Sequence, residues 1–243
     1  MSIFNNYDSS SILKAGFQKA DLMDYGSLYG MGSYFGQDYT AFALVRLAAL
    51  TEENLAQARF GSALGNLSTE QQAAVRATMQ QQLQRVDLTR REVTIPDALA
   101  GAIATLRQDL AGNLHTVDLT TGWTPAHSLS DTEALQTADF LIYSALTTVA
   151  RRPDTSWSWT ENWPYQPEIG NTPTTNTFMW TWISFCFTFF AFGGVLFIYH
   201  YWLSGVDQGP MDPVLGTFRP LTPSQQKTGK YFLVVAAVLL LQI

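Results

Sequence analysis

At 243 residues with a formal net charge of −6, the chain has room for one or two domains, and its charge argues against nucleic acid as a partner. The 47% hydrophobic share hides two unlike parts. Residues 1–168 carry 11 Lys/Arg against 18 Asp/Glu, whereas residues 169–243 carry three basic and two acidic residues, so an acidic front precedes a nearly neutral, apolar tail.

The first ten residues, MSIFNNYDSS, offer no basic start and no apolar stretch that could serve as an export signal. Residues 22–41, LMDYGSLYGMGSYFGQDYTA, follow. Gly26, Gly30, Gly32 and Gly36 alternate there with Tyr25, Tyr29, Tyr34, Phe35 and Tyr39. Glycine costs backbone entropy, so this density implies positive φ, or the close approach of another backbone or a flat ligand. The interleaved aromatics mark an ordered loop rather than a linker. The spacing Gly30-x-Gly32-x-x-x-Gly36 is one residue too long for a dinucleotide fingerprint, and no strand pattern leads into it. Residue types alone leave two readings in balance, a loop that packs the core and a loop that meets a partner.

The rest of the front part reads as mainly helical. Ala43, Leu44 and Leu47 predict a helix over 38–48. Ser68 and Gln71 form a capping box opening a polar helix to about residue 84. Residues 86–95 alternate enough to predict a short strand pair or extended segment, and Pro96 suits a first helical position before DALAGAIATLRQDL. Residues 112–130 read as a long loop. Ser130 and Glu133 form a second capping box, opening an apolar helix that Pro153 is expected to end. Residues 157–177, WSWTENWPYQPEIGNTPTTNT, combine three tryptophans with a Gly-Asn-Thr-Pro turn and predict a rigid irregular segment. Tryptophan suits a membrane interface, so this segment either anchors a membrane helix or docks the front domain onto a membrane part.

No Asp, Glu, Lys or Arg occurs from residue 169 to 206. Within that window 178–203 reads as a transmembrane helix, with Trp180 and Trp182 at one end and Tyr199, Tyr201 and Trp202 at the other as aromatic belts. A second apolar run, 231–243, would cover only about 20 Å of helix against a hydrocarbon core of about 30 Å, so the chain is expected to be a piece of a longer protein. Arg219, Lys227 and Lys230 lie between the two runs, and no basic residue lies in 158–177. The positive-inside rule therefore places 204–229 in the cytoplasm and 1–168 outside, the periplasm in a bacterium. The expected organisation is an outer domain (1–168), a connector (169–177), a span (178–203), a cytoplasmic loop (204–229) and the start of a second span (230–243). Membrane lipid is the first partner this implies.

Cys186 is the single cysteine and lies mid-span, so neither a disulfide framework nor a covalent c-type haem site is written in the chain. His115, His127 and His200 are scattered and read as surface or interface residues, because a metal centre needs several converging ligands.

The strings LMDYGS-x-x-G-x-GSY and WPY-x-P-x-x-GNTPT, in this order and running into a membrane helix, resemble the quinol-dependent nitric oxide reductases, single-chain members of the haem-copper oxidase superfamily. The resemblance implies a mainly α fold, with a cytochrome c-like outer domain that has lost its haem. In the relatives that use cytochrome c, a C-x-x-C-H site precedes a G-x-G-A-Y string. The positions matching that site are Leu22, Met23, Asp24, Tyr25 and Gly26, none of which attaches or ligates haem. Tyr34 or Phe35 matches the position that approaches haem propionates and a bridging calcium. The family's haem b, haem b3 and non-haem iron, and the histidines that hold them, belong to later membrane helices. No catalytic residue and no cofactor is therefore expected in residues 1–243. Met31 and Val45 depart from the family, which more often has histidine near both positions.

The resemblance implies a parent enzyme that reduces two NO to N2O and water with electrons from quinol. This chain would supply a docking domain built on Gly30, Gly32, Tyr34, Trp163, Pro164, Tyr165 and Asn171, whose partner is the remaining membrane core of the same polypeptide. By itself the chain is expected to be inactive. Two other readings compete: a nitric oxide dismutase-like relative sharing this front region, and a non-enzymatic membrane-anchored binding or sensory module. The sequence beyond residue 243 would separate all three.

Overall fold

The computed structural model describes residues 14–90, 93–120, 122–125 and 127–205, with side-chain surroundings through residue 198. The elements are mostly helices: α1 (14–19), α2 (Tyr39–Phe60), α3 (Thr69–Gln84), α4 (Asp97–Asn113), α5 (Asp131–Thr147) and α6 (Thr175–Gly205). A two-stranded antiparallel hairpin, β1 (Ser27–Leu28) and β2 (Met31–Gly32), lies between α1 and α2. The chain divides into two units, Met1–Trp182 and Ile183–Ile243. The sequence expectations for a loop at 204–229 and a second span fall almost wholly outside the described residues.

In the first unit α2, α4 and α5 pack on one another and α3 packs on α2. Each presents an apolar stripe at helical spacing: Ala43, Leu44 and Leu47 from α2, Leu99, Ile103, Leu106 and Leu110 from α4, and Ala138, Leu141, Ile142 and Ala145 from α5. Arg107 ties α4 to α5 with a bidentate pair to Asp139, at 2.6 and 2.9 Å. Phe17, Tyr39, Phe42 and Trp123 stack at one end of this core, with Tyr39 and Trp123 ring centres 5.2 Å apart.

Both capping boxes form, at Ser68 with Gln71 and at Ser130 with Glu133. Other boundaries differ from expectation. Helix α2 runs to Phe60 rather than stopping near 48, because residues 49–60 still bury Thr51, Glu52 and Ala56 and pack Leu50 and Leu55 against the core. Gly61 ends it, in the left-handed region at φ 64°. Pro96 sits at the N-cap of α4, one residue earlier than expected.

No strand forms among the described residues of 86–95. Asp87 instead folds the chain back by accepting from the N–H and hydroxyl of Thr89. Helix α5 stops at Thr147, well before Pro153. The hydroxyls of Ser144, Thr147 and Thr148 each donate to the carbonyl three residues back and compete with the helical ladder. Within the expected loop 112–130, Asp118 and Trp123 exchange backbone hydrogen bonds at 2.6 and 2.9 Å, which drives Trp123 into the core.

Helix α6 is apolar all round. Its segment Thr175–Ile198 has mean hydropathy 1.9 and none of it is buried, so it is long and apolar enough to cross a membrane. Thr181 and Thr188 satisfy their hydroxyls within the helix, on the carbonyls of Thr177 and Ser184.

Candidate functional site

The glycine–aromatic stretch folds as a short 3-10 turn (Leu22–Asp24), the hairpin, and a return to α2. Tyr29 and Gly30 form the hairpin turn with φ of 55° and 74°, as a two-residue turn of the type I′ kind requires. Tyrosine is a poor candidate for that first position. Its phenol holds it there by bonding Thr147 Oγ1 at 2.8 Å, while its N–H donates to Thr40 Oγ1. Because the Thr147 hydroxyl already donates to Ser144 O, the phenol is the donor. Burial pushes the Tyr29 hydroxyl above its ordinary value of 10.0.

Asp38 is the hub of the loop. One carboxylate oxygen caps α2 through Ala41 N at 2.8 Å, and the other accepts from Ser27 Oγ at 2.8 Å and Gly30 N at 2.6 Å. Backbone bonds close the remainder: Ser33 N to Gly26 O, Gly36 N to Tyr25 O, and Ser27 N to Gln37 O. The loop is thus ordered by its own backbone. The glycines divide by role. Gly30 is set by its positive φ, Gly26 and Gly36 by space, since an added methyl would meet the Tyr39 and Tyr25 rings at 2.6 and 2.7 Å, and Gly32 by both, with φ 138° and the Gly26 carbonyl 2.6 Å from an added methyl.

Among the positions expected to mark a former haem site, Leu22 is completely buried in the core and Gly26 lies buried against Tyr39. Met23 and Asp24 are exposed and Tyr25 is half-buried with its ring against Phe35. Tyr34 and Phe35 are 82% and 83% exposed, and Met31 is 65% exposed, so core packing accounts for the glycines but not for these tips. The Tyr34 hydroxyl folds back to donate to Gly30 O at 3.0 Å.

The tryptophan-rich segment meets the hairpin. A Cβ on Gly30 would lie 3.4 Å from Trp163 Nε1 and 3.7 Å from Cζ2 of the same indole. Trp163 precedes Pro164 through a cis peptide bond and is 43% exposed, as is much of Tyr165. Asn171, 3% exposed, donates its amide to Pro164 O at 2.8 Å, and its backbone pairs with Gln166 in both directions. Asn162 bridges Ser158 and Thr172. The Glu161 carboxylate accepts from the hydroxyls of Thr177 and Thr174, which hold it below the usual carboxylate range. Gly30, Tyr34, Trp163, Pro164 and Asn171 therefore form one connected structure, and Met31, Phe35 and Tyr165 add exposed apolar surface around it.

Among the described residues no group of three His, Cys, Asp or Glu side chains could hold a metal. His115 and His127 are exposed and lie near different carboxylates, Asp131 at 3.5 Å and Asp21 at 3.9 Å. Three features were not legible as site residues: Asp38, the tyrosine turn at Tyr29, and Thr147, which joins the hairpin to α5 from 118 positions away. A carboxylate at a helix start reads only as a cap, so nothing in the sequence pointed to its second role.

The described residues thus form a small helical domain with an internally bonded hairpin loop, followed by a helix long and apolar enough to cross a membrane. Residues 10–165 match the family described as the NorB cytochrome c-like domain of nitric oxide reductase, and the chain belongs to that family, an oxidoreductase family. No curated protein matches the chain.

Proposed function

We propose that the chain is the front portion of a quinol-dependent nitric oxide reductase, and that its domain holds no haem and docks on the enzyme's membrane core. The observation that carries the haem-free reading is the crowding at Gly26. A covalent haem needs two thiols and an axial imidazole, and the matching positions are Leu22, Tyr25 and Gly26. Leu22 fills the core, and even a methyl group at Gly26 collides with the Tyr39 ring and Gln37 O. The residues present do not fit the group, and no electron-transfer step is routed through this domain.

The docking reading is supported by the surface that Met31, Tyr34, Phe35, Trp163 and Tyr165 expose beside a loop whose backbone is already satisfied. Exposed aromatics on a rigid support are what a protein contact uses. Tyr34 and Phe35 are the residues proposed to approach the haem propionates and calcium of that core. The domain is proposed to face the periplasm, with haem b, haem b3 and non-haem iron held by residues outside this chain.

The test is made on the enzyme encoded by the full gene, purified in detergent. The reading expects b-type haem only by the pyridine haemochrome spectrum, and NO consumption driven by a reduced quinol. Covalent c-type haem, or turnover with reduced cytochrome c but not with quinol, would overturn it. The 243-residue chain alone is expected to consume no NO under the same conditions.

A further inference from the structure

Away from the hairpin, the end of α3 and the chain leaving α5 border an open polar recess of about 290 Å³, lined by Ala77, Gln80, Gln81, Gln84, Arg85 and Arg151, with both arginines exposed. It adjoins a smaller recess that shares Gln80, Gln84 and Arg151 and is closed by Asn162, Gly170 and Asn171.

Lys19, Arg46, Arg76, Arg90 and Arg107 each lie within ion-pair distance of a carboxylate. Arg85 and Arg151 have no such partner among the described residues, nor do Lys14, Arg59 and Arg152, but Arg85 and Arg151 alone line the same recess. Arg151 instead donates to a neutral acceptor, Gln84 Oε1, at 2.8 Å. That bond commits the amide oxygen and leaves the Gln84 NH2 and the remaining guanidinium N–H groups as donors.

Closing the helix end does not explain the two cations. The carbonyls of Gln81 and Gln84 are already covered by the backbone N–H groups of Arg85 and Arg151, at 3.2 and 3.1 Å. Two guanidiniums among three glutamine amides, with no carboxylate in the wall among the described residues, make a donor-rich recess suited to an anion that accepts several hydrogen bonds.

We propose that this recess binds a phosphate-class oxyanion. The same chemistry is presented by an anionic phospholipid head group and by free inorganic phosphate. The lipid source arises because the same chain carries a helix long and apolar enough to cross a membrane. This inference is independent of the catalytic reading.

The test uses the full chain in detergent and in phosphatidylcholine nanodiscs with and without phosphatidylglycerol. Thermal unfolding is followed against inorganic phosphate, with chloride at matched ionic strength as reference, and retained lipid is counted by native mass spectrometry. A saturable phosphate shift, preferential retention of phosphatidylglycerol, or both, is expected. The double variant Arg85→Gln/Arg151→Gln should weaken binding about tenfold or more, one or two charge-assisted bonds' worth. Arg59→Gln, which removes a cation at the end of α2 away from the recess, should leave it unchanged. A phosphate response without lipid preference assigns the free anion, and the reverse assigns the lipid. Absence of both in the wild type, or binding unaltered by the double variant, overturns the proposal. Should the double variant misfold, Arg85→Gln alone decides, because its side chain holds no ion pair among the described residues.

Discussion

Gly30 lies against the indole of Trp163, with 3.4 Å between the position of an added Cβ and Nε1. Two stretches separated by more than a hundred residues, one rich in glycine and one in tryptophan, are thereby a single structure. The contact distance is an ordinary one, so the glycine is required by its φ of 74° rather than by lack of space.

Gly30→Ala is therefore expected to cost about 1–2 kcal/mol, the penalty for a side chain in the left-handed region. Gly26→Ala should cost more, about 2–3 kcal/mol, because its Cβ would lie 2.6 Å from the buried Tyr39 ring. Gly112→Ala, in α4 with open space around it, should stabilise by about 0.5–1 kcal/mol. Denaturant unfolding of the chain in detergent ranks the three. An equal effect at Gly26 and Gly30 would contradict the assigned roles.

Asp38→Ala removes the cap of α2 and the acceptor for Gly30 N and Ser27 Oγ together. Its expected cost is about 2–3 kcal/mol, above the ~1 kcal/mol of a simple cap. Asp38→Asn keeps one amide oxygen to cap the helix and should lose clearly less. The same unfolding measurement checks the order.

The pH response is set in part by Glu133. The hydrogen bond from Lys19, then those from the backbone and hydroxyl of Ser130, hold its carboxyl down at about 2 against an ordinary 4.5. The folded value lies below the unfolded one, so its contribution is complete above 4.5 and is lost as pH falls towards 2. Thermal midpoints taken across that window should fall more steeply for the wild type than for Glu133→Gln. Parallel curves would contradict the assignment. At the alkaline end, burial pushes the Tyr39 hydroxyl up to about 12, so stability should decline as pH rises from 10 towards that value.

Phe35→Ser and Met31→Ser alter exposed tips and should change stability by less than about 0.5 kcal/mol. In the full enzyme they are expected to lower NO turnover or weaken retention of the domain on the membrane core. Wild-type turnover in both variants would remove the docking role.

Asn171→Ala deletes the bond to Pro164 O at a nearly buried position, for an expected loss of about 1–2 kcal/mol. Limited proteolysis should then cut residues 157–177 faster than in the wild type.

The sequence was most informative where local chemistry decides structure. Ser68 with Gln71 and Ser130 with Glu133 each satisfy one another within four residues, so both helix starts were readable. The span in α6 was readable from composition and length alone, because an uncharged apolar run of that length needs no distant partner. Distant partners decided the rest. Tyr29 takes a left-handed turn because Thr147, far along the chain, bonds its hydroxyl, and no turn rule anticipates a tyrosine there. Helix α2 continues past its apolar stripe because polar Thr51 and Glu52 are covered by other elements, Glu52 through Arg76. Within the site, the importance of the glycines and of Trp163 could be seen, but not that they touch.

Asp38 gives the hairpin and α2 a common fate. The two oxygens of one carboxylate receive the amide of the turn and the amide of the first helical turn, so opening either one removes part of what orients the other's acceptor. The amides of Gly30 and Ala41 should then exchange with solvent as one cooperative opening unit, at one rate and with one sensitivity to denaturant. A segment that looks in outline like a surface flap is, energetically, the front end of the domain's longest buried helix.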